Sequence, residues 1–141
     1  MTYTPSPYRH IRLVRPDDSE YRGYLARLRD NRPPGWGRRS AGEYLGGKVE
    51  QAVQHWLQSH IPLKEERILS WEQRLKNNRS GRCYREIDAI WQIDSESLCL
   101  FEIKFTHADN IARGAGLKQL EASSAILSQV EEYAYLLKRL V

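Results

Sequence analysis

The chain has 141 residues with 40% hydrophobic content, enough for one domain with a single core, and its mean hydropathy of −0.67 argues for a soluble protein. It contains no run of about eighteen apolar residues and no leader with an apolar core, so we expect no membrane span, no secretion and a cytoplasmic location. Its two cysteines, Cys83 and Cys99, are too few for a disulfide framework or a four-cysteine zinc site, and we interpret them as packing residues.

The net charge of +4 is concentrated at the N-terminus. Residues 1–40 carry nine arginines and four acids, whereas residues 41–141 carry thirteen basic and fourteen acidic residues. We therefore divide the chain into a basic N-terminal extension, residues 1–40, and a domain, residues 41–141. Arginine binds phosphate through a planar fork of donors, so the extension could follow a nucleic-acid backbone. A solvated basic arm would have the same composition.

The extension is predicted to contain one short helix and one loop. Apolar spacing predicts the helix over residues 18–29. Two prolines and two glycines predict a loop over residues 31–40, because they cannot continue a helix. In that loop Trp36 either stacks on a base or pins the loop to the core. Arg38 and Arg39 beside it are candidate nucleic-acid-binding residues.

An amphipathic helix is predicted over residues 43–57. Its apolar stripe consists of residues that recur at helical spacing: Leu45, Val49, Ala52, Val53 and Trp56. Glu50 lies at the edge of this stripe, where it could point toward a neighbouring sheet. The alternative is an ordinary glutamate that faces solvent.

A strand is predicted over residues 68–75, followed by a turn at residues 77–81. Basic residues surround this turn without an intervening acid. Among them, Arg79 and Arg82 are candidates for holding a phosphate backbone, although a soluble turn would look the same.

Two stretches, residues 84–93 and 98–106, alternate apolar and polar side chains with the period of two that is typical of strands. Residues 94–97 between them have turn composition. If the strands pair as an antiparallel hairpin with both apolar rows on one face, Asp88 comes opposite Glu102. This register requires a loop of three or five residues, or a bulge.

The other face of the predicted hairpin carries Asp88, Glu102 and Lys104. An E-x-K pair alone is common on solvated strand faces, where the lysine offsets neighbouring charge. Here the same face also carries Ile90 and Leu100, so it is partly covered, and charges on a covered face need partners or a metal. Two carboxylates and a lysine in this arrangement could bind a divalent cation and activate water beside a phosphodiester.

The order of a helix acid, a strand acid and an E-x-K pair resembles the PD-(D/E)XK nuclease superfamily, whose core runs helix, three strands, helix, strand. Glu50, Asp88, Glu102 and Lys104 match these positions. The resemblance covers residues 42–124 and is greatest to the branch near Holliday junction resolvases. The proline of the motif name is absent, as it is in many members.

The resemblance implies a mixed α/β fold with a restriction-endonuclease-like core, in which a helix is followed by a three-stranded antiparallel or mixed sheet and a second helix. That second helix is expected to carry a polar residue facing the site. Gln119 is the preferred match, and Lys118 beside it is a candidate nucleic-acid contact. Helical spacing continues from Leu120 through Leu137 to Val141, so we predict a C-terminal helix, and the fourth core strand is not evident.

The function implied by the resemblance is a metal-dependent endonuclease that hydrolyses nucleic-acid phosphodiester bonds, DNA in preference to RNA. Asp88, Glu102 and Glu50 would bind Mg²⁺ or Mn²⁺, Lys104 and Glu50 would act in catalysis, and Gln119 would position water or backbone. The alternative is a catalytically inactive module of the same fold that serves nucleic-acid binding or complex assembly. A second copy or a partner subunit could then dock on the predicted C-terminal helix.

Overall fold

The computed structural model describes residues 7–31, 41–74, 79–104, 109–130, 133 and 135–141. The predicted Pro/Gly loop, apart from Asn31, lies outside these residues with Trp36, Arg38 and Arg39, as do residues 77 and 78 of the predicted turn at residues 77–81.

The described residues form three helices and two three-stranded sheets, which confirms the mixed α/β class. The elements in chain order are β1 (Arg9–Val14), α1 (Ser19–Asp30), α2 (Ala41–His60), β2 (Ile68–Arg74), β3 (Ser80–Glu86), β4 (Ala89–Gln92), β5 (Ser97–Glu102), α3 (Asp109–Leu127) and β6 (Tyr135–Leu140). The predicted helices in the first half of the chain and the strand beginning at Ile68 are confirmed.

The first sheet has the order β1-β2-β3, with antiparallel neighbours throughout. Strand β1 was not predicted, and its hydrogen bonds to β2 join the N-terminal segment to the sheet. After it, α1 begins behind Asp18, whose side chain accepts a hydrogen bond of 3.0 Å from the Tyr21 amide. This N-cap satisfies one of the free amides of the first helical turn.

In the second sheet, β4 pairs antiparallel with β5, and β5 pairs parallel with β6. The pairing of Ala89 with Phe101 continues the register that brings Asp88 opposite Glu102, as predicted. The Ile93 amide donates to the Ser97 carbonyl at 2.9 Å, which leaves three residues at the tip of the turn and confirms the predicted loop length.

The predicted strand over residues 84–93 is wrong in one respect, because it is two strands that belong to different sheets. They are separated by Ile87 and Asp88. The Ile87 amide donates to the Arg67 carbonyl at 3.1 Å, and the Asp88 carbonyl accepts from the Gln54 side chain at 2.6 Å. The chain therefore passes from the first sheet to the second at Asp88.

Both faces of the β4–β5 pair are buried. On one face Ile90, Leu98 and Leu100 are fully buried in a cluster with residues of α3 and of the first sheet. On the other face Ala89, Cys99 and Phe101 pack with Leu57 of α2. Burial on both sides explains why a charged residue near this strand pair loses most of its contact with water.

The predicted apolar stripe of α2 is shifted in the structure. Trp56 was expected to face the core, but it is 60% exposed and its ring packs on His60 with centroids 4.6 Å apart. Leu57 is buried instead, at 7% exposure, and Val53 lies one turn before it on the same side. Residues four apart share a helix face, so the buried stripe runs through positions 53 and 57.

The predicted C-terminal helix is wrong, because α3 ends at Leu127 and the chain ends in a strand. Strand β6 runs parallel to β5, in a region where the sequence predicted no strand. Leu136 packs on the core while its neighbour Leu137 is 55% exposed, the alternation of a strand. A partner that docks at this end would meet a strand rather than a helix.

Among the described residues, no helix combines the length and the apolar character that crossing a bilayer requires.

The phase of α2 can be tested with two adjacent substitutions. Leu57→Ala should lower the free energy of unfolding by about 2–5 kcal/mol, because it leaves a cavity between α2 and the sheet. Trp56→Ala should change it by no more than about 0.5 kcal/mol, since the indole is largely in water. Urea denaturation followed by circular dichroism measures both. A larger loss for Trp56→Ala than for Leu57→Ala would contradict the observed helix phase.

Candidate functional site

A cleft of about 460 Å³ opens where α2, the ends of β3 and β5, and α3 meet. It brings together the five residues predicted for catalysis and metal binding: Glu50, Asp88, Glu102, Lys104 and Gln119. The other lining residues are Gly47, Gln51, Gln54, Arg67, Glu86 and Ile103. Polar and charged side chains therefore dominate the cleft.

Asp88 is held in place by both its side chain and its main chain. Its carboxylate Oδ2 accepts a hydrogen bond of 2.8 Å from the Ile103 amide, and its carbonyl accepts the bond from Gln54. The residue is only 9% exposed. These contacts fix the carboxylate beside β5 without neutralising its charge.

Glu102 and Lys104 enter the cleft from β5 and the residues just after it. Glu102 is 7% exposed, and its Oε1 lies 3.4 Å from the Lys104 ammonium. Ile103 between them is buried. The spacing of two residues places both charged side chains on the same side of an extended chain, as the sequence predicted.

Glu50 is half-buried on α2 and lines the same cleft as Asp88 and Glu102. Burial, the negative charge of Asp88 and a hydrogen bond with Asp88 together raise the pKa of Glu50 to about 7. Burial likewise raises the pKa of Glu102 to about 7, again with a contribution from Asp88, while Lys104 acts in the opposite direction. The cleft thus holds three carboxyl groups whose negative charge is under-compensated.

The donor set in the cleft fits a hard divalent cation. Carboxylate oxygens are the ligands that Mg²⁺, Mn²⁺ and Ca²⁺ prefer, and a cation would relieve the repulsion that raises the two pKa values. Among the described residues, no group of three His, Cys, Asp or Glu side chains has the arrangement needed to hold a metal ion. Coordination by Glu50, Asp88 and Glu102 together would therefore require these side chains to draw closer.

Gln119 lines the cleft from α3, and Lys118 beside it is exposed. Because Gln119 is neutral, it adds hydrogen-bonding capacity without altering the charge of the site. Its place is the one expected for the polar residue of the second helix.

Of the remaining predicted nucleic-acid contacts, Arg79 and Arg82 do not line the cleft. Arg79 is exposed just before β3, while Arg38 and Arg39 lie outside the described residues. The Arg82 guanidinium donates to the His10 carbonyl, the Ser70 hydroxyl and the Glu72 carboxylate at 3.0–3.2 Å. These bonds occupy Arg82 within the sheet, and its role as a phosphate contact stays a prediction.

Gln54, Arg67 and Glu86 are among the cleft residues that were not predicted from the sequence. Gln54 lies one helical turn after Glu50, a spacing that could have indicated it. Arg67 and Glu86 form an ion pair of 2.8 Å, and Arg67 also donates to the Ile87 carbonyl at 3.1 Å. Their position depends on how β2 and β3 pair, which no local pattern reveals.

Comparison with models of protein families found no match, and neither the curated proteins nor the solved structures include a significant match to this chain.

The raised pKa values of Glu50 and Glu102 predict how stability depends on pH without metal. Between about pH 4.5 and pH 7 the folded protein binds more protons than the unfolded chain, so the free energy of unfolding should fall as pH rises through this window. Glu50→Gln removes one ionisable group from the cleft. It should match the wild type near pH 4.5 and exceed its stability by about 1 kcal/mol at pH 8.

Thermal denaturation in EDTA across this pH range measures the effect. Glu121→Gln, an exposed position on α3 outside the cleft, is the matched control and should follow the wild type at each pH. Parallel pH profiles for Glu50→Gln and the wild type would show that the carboxyl groups do not repel each other in the folded state.

Proposed function

We propose that this protein is a metal-dependent endonuclease that hydrolyses phosphodiester bonds of nucleic acid, DNA in preference to RNA. The observation that carries the proposal is the convergence of Glu50, Asp88, Glu102 and Lys104 in one cleft. These side chains come from a helix, from the junction of two strands and from the end of a third. Such groups are what metal-assisted hydrolysis of a phosphodiester needs.

The order of the elements also supports this proposal. From α2 onward the chain runs helix, four strands, helix, strand, which is the order of the PD-(D/E)XK core with one additional strand before the second helix. The acids lie on α2, just before β4 and at the end of β5, and in this proposal β6, which runs parallel to β5, would correspond to the last core strand. We propose on this basis that the domain has a restriction-endonuclease-like core.

The metal in this proposal is Mg²⁺ or Mn²⁺, held by Asp88 and Glu102, with Glu50 as the third carboxylate. When bound, it would act as a Lewis acid toward the scissile phosphate and lower the pKa of a water molecule. Asp88 suits the role of ligand because the Ile103 amide already fixes its orientation. Preorganised ligands lose little freedom on binding.

Lys104 places a positive charge 3.4 Å from the Glu102 carboxylate. Its ammonium could donate a hydrogen bond to the attacking water or to a phosphate oxygen that gains negative charge in the transition state. Its bond with Glu102 keeps it at the mouth of the site, where it remains half-buried. Gln119 could orient water or substrate from the opposite wall.

The alternative function is a nucleic-acid-binding or assembly module of the same fold without catalysis. It requires only a basic surface, and the cluster of carboxylates would then have no chemical role. Binding of DNA without cleavage in either Mg²⁺ or Mn²⁺ would favour this alternative.

Cleavage assays test the proposal directly. Wild-type protein should cleave at least one of branched, duplex and single-stranded DNA in Mg²⁺ or Mn²⁺, and Lys104→Ala should reduce the rate by about 100-fold or more, because the charge stabilising the transition state is lost. Lys138→Ala is the matched control. Lys138 lies on β6, paired with Glu121 at 3.9 Å and outside the cleft, so its loss should leave the rate unchanged.

Metal binding can be measured independently of cleavage. Isothermal titration with Mn²⁺ should detect binding to the wild type and at least about tenfold weaker binding to Asp88→Asn, since an amide is a neutral and poorer ligand for a hard cation. Mn²⁺ should also raise the melting temperature of the wild type more than that of the variant. Equal affinities would exclude Asp88 as a ligand.

A further inference from the structure

A second groove lies at the far end of the first sheet from the carboxylate cleft. It encloses about 480 Å³ between the start of β1, the end of β2 and the start of β3. Its lining residues are Pro7, Tyr8, Arg9, His10, Glu72, Gln73, Arg74 and Ser80. We refer to it as the basic groove.

Two arginines give the groove its charge. Arg9 and Arg74 are exposed, and within the described part of the chain neither forms an ion pair with an acidic side chain. The single acid of the groove, Glu72, is already engaged, because it contacts His10 at 2.8 Å and Arg82 at 3.2 Å. The two arginine guanidinium groups thus remain available for an anionic ligand.

The backbone of the groove is shaped by an irregularity in β1. The register between β1 and β2 shifts between Arg9 and Arg12, and His10 adopts a φ of 50°, in the left-handed region. Arg82 donates to the His10 carbonyl, and Glu72 bonds the His10 ring. A non-glycine residue persists in this conformation only where its surroundings hold it, so Arg82 and Glu72 position the wall of the groove.

Strand register places the two arginines on one face of the sheet. Arg9 pairs with Glu72, and Arg74 lies two residues further along β2. Directly opposed residues and residues two apart share a face. On β3 the same face continues through Arg82 to Glu86, which lines the carboxylate cleft.

The length of β3 sets the separation of the two sites. Six residue steps from Ser80 to Glu86 at about 3.3 Å each span about 20 Å. Each base-pair step of duplex DNA rises about 3.4 Å along the helix axis, so this separation corresponds to about six steps along the axis. Between the sites Tyr84 packs against Tyr21 and Tyr24, and a ligand that reaches both must run past α1.

We infer that the basic groove is a second binding site for the phosphate backbone of a nucleic acid, which Arg9 and Arg74 hold about 20 Å from the cleft. This inference rests on the proposed function for its choice of ligand. Arginine is suited to the task because its planar donors bind phosphate oxygens in pairs. Contacts of this kind position a substrate without reading its sequence.

The test uses Arg9→Gln/Arg74→Gln, which removes two charges and keeps most of each side chain. Fluorescence anisotropy with a labelled DNA duplex of about 20 base pairs, in EDTA, gives Kd as a function of NaCl concentration. The variant should bind roughly tenfold more weakly, and the slope of log Kd against log salt should decrease by about 1.8, or 0.9 for each phosphate released. Arg9→Lys/Arg74→Lys should restore most of that slope.

Lys138→Ala/Arg139→Ala is the control, since it removes the same net charge from β6, in the other sheet. It should leave the slope close to that of the wild type. Three results would each overturn the inference. They are an unchanged slope for Arg9→Gln/Arg74→Gln, an equal decrease of the slope in the control, and no binding of DNA by the wild type.

A cleavage measurement separates this inference from the proposed function. In Mg²⁺ or Mn²⁺ the glutamine variant should show a raised KM for long DNA and an unchanged kcat at saturation, because the cleft is intact. Binding with the expected salt slope but without cleavage would support the groove and contradict the nuclease. Cleavage with unaltered binding by the variant would support the nuclease and contradict the groove.

Discussion

The hydrogen bond from the Ile103 amide to the Asp88 carboxylate is the interaction on which the cleft depends. It lies just beyond Ala89–Phe101, the last residue pair between β4 and β5, and continues their register. It also joins the junction of the two sheets to the end of β5. Asp88 is thereby held opposite Glu102. Glu50, which extends from α2, completes a group of three carboxyl groups. One helical turn later on α2, the Gln54 side chain donates a hydrogen bond to the Asp88 carbonyl.

Burial of the strand pair on both faces makes this group electrostatically costly. Desolvation disfavours the charged forms of Glu50 and Glu102, and Asp88 adds repulsion. The nearby cations compensate only in part, because Lys104 is shared with solvent and Arg67 is paired with Glu86. Keeping two buried carboxyl groups and one half-buried carboxyl group together lowers the stability of the fold, and such local conflicts are concentrated at functional sites. In the proposed function, a bound cation would relieve this repulsion.

The parts of the fold that local patterns predict are those that depend on short-range geometry. The register of β4 and β5 followed from alternation, and the loop length followed from the register. Asp88 and Glu102 came from that register as well, whereas Glu50 came from its place on the predicted helix and from the family resemblance. The prediction of the buried face of α2 was wrong because Trp56 and Leu57 are both apolar, and only contact with the sheet decides which of them is buried. The C-terminal strand was not predicted because Leu127, Leu137 and Val141 also fit a helical period. Its pairing partner, β5, lies more than thirty residues earlier in the chain, beyond the reach of a local pattern. Arg67 was missed for the same reason.

The C-terminal strand does more than complete the sheet, since it holds the E-x-K segment from the side opposite Asp88. The Val141 amide donates to the Glu102 carbonyl at 2.8 Å, and the Lys104 amide donates to the Val141 carbonyl at 3.0 Å. Successive residues of a strand direct their amide and carbonyl groups to opposite sides. The main chain of Glu102 and Lys104 therefore faces β6, and that of Ile103 faces Asp88. The Ile103 carbonyl is consequently directed toward the carboxylate side of the strand, where it can serve as a neutral oxygen ligand beside Asp88 and Glu102.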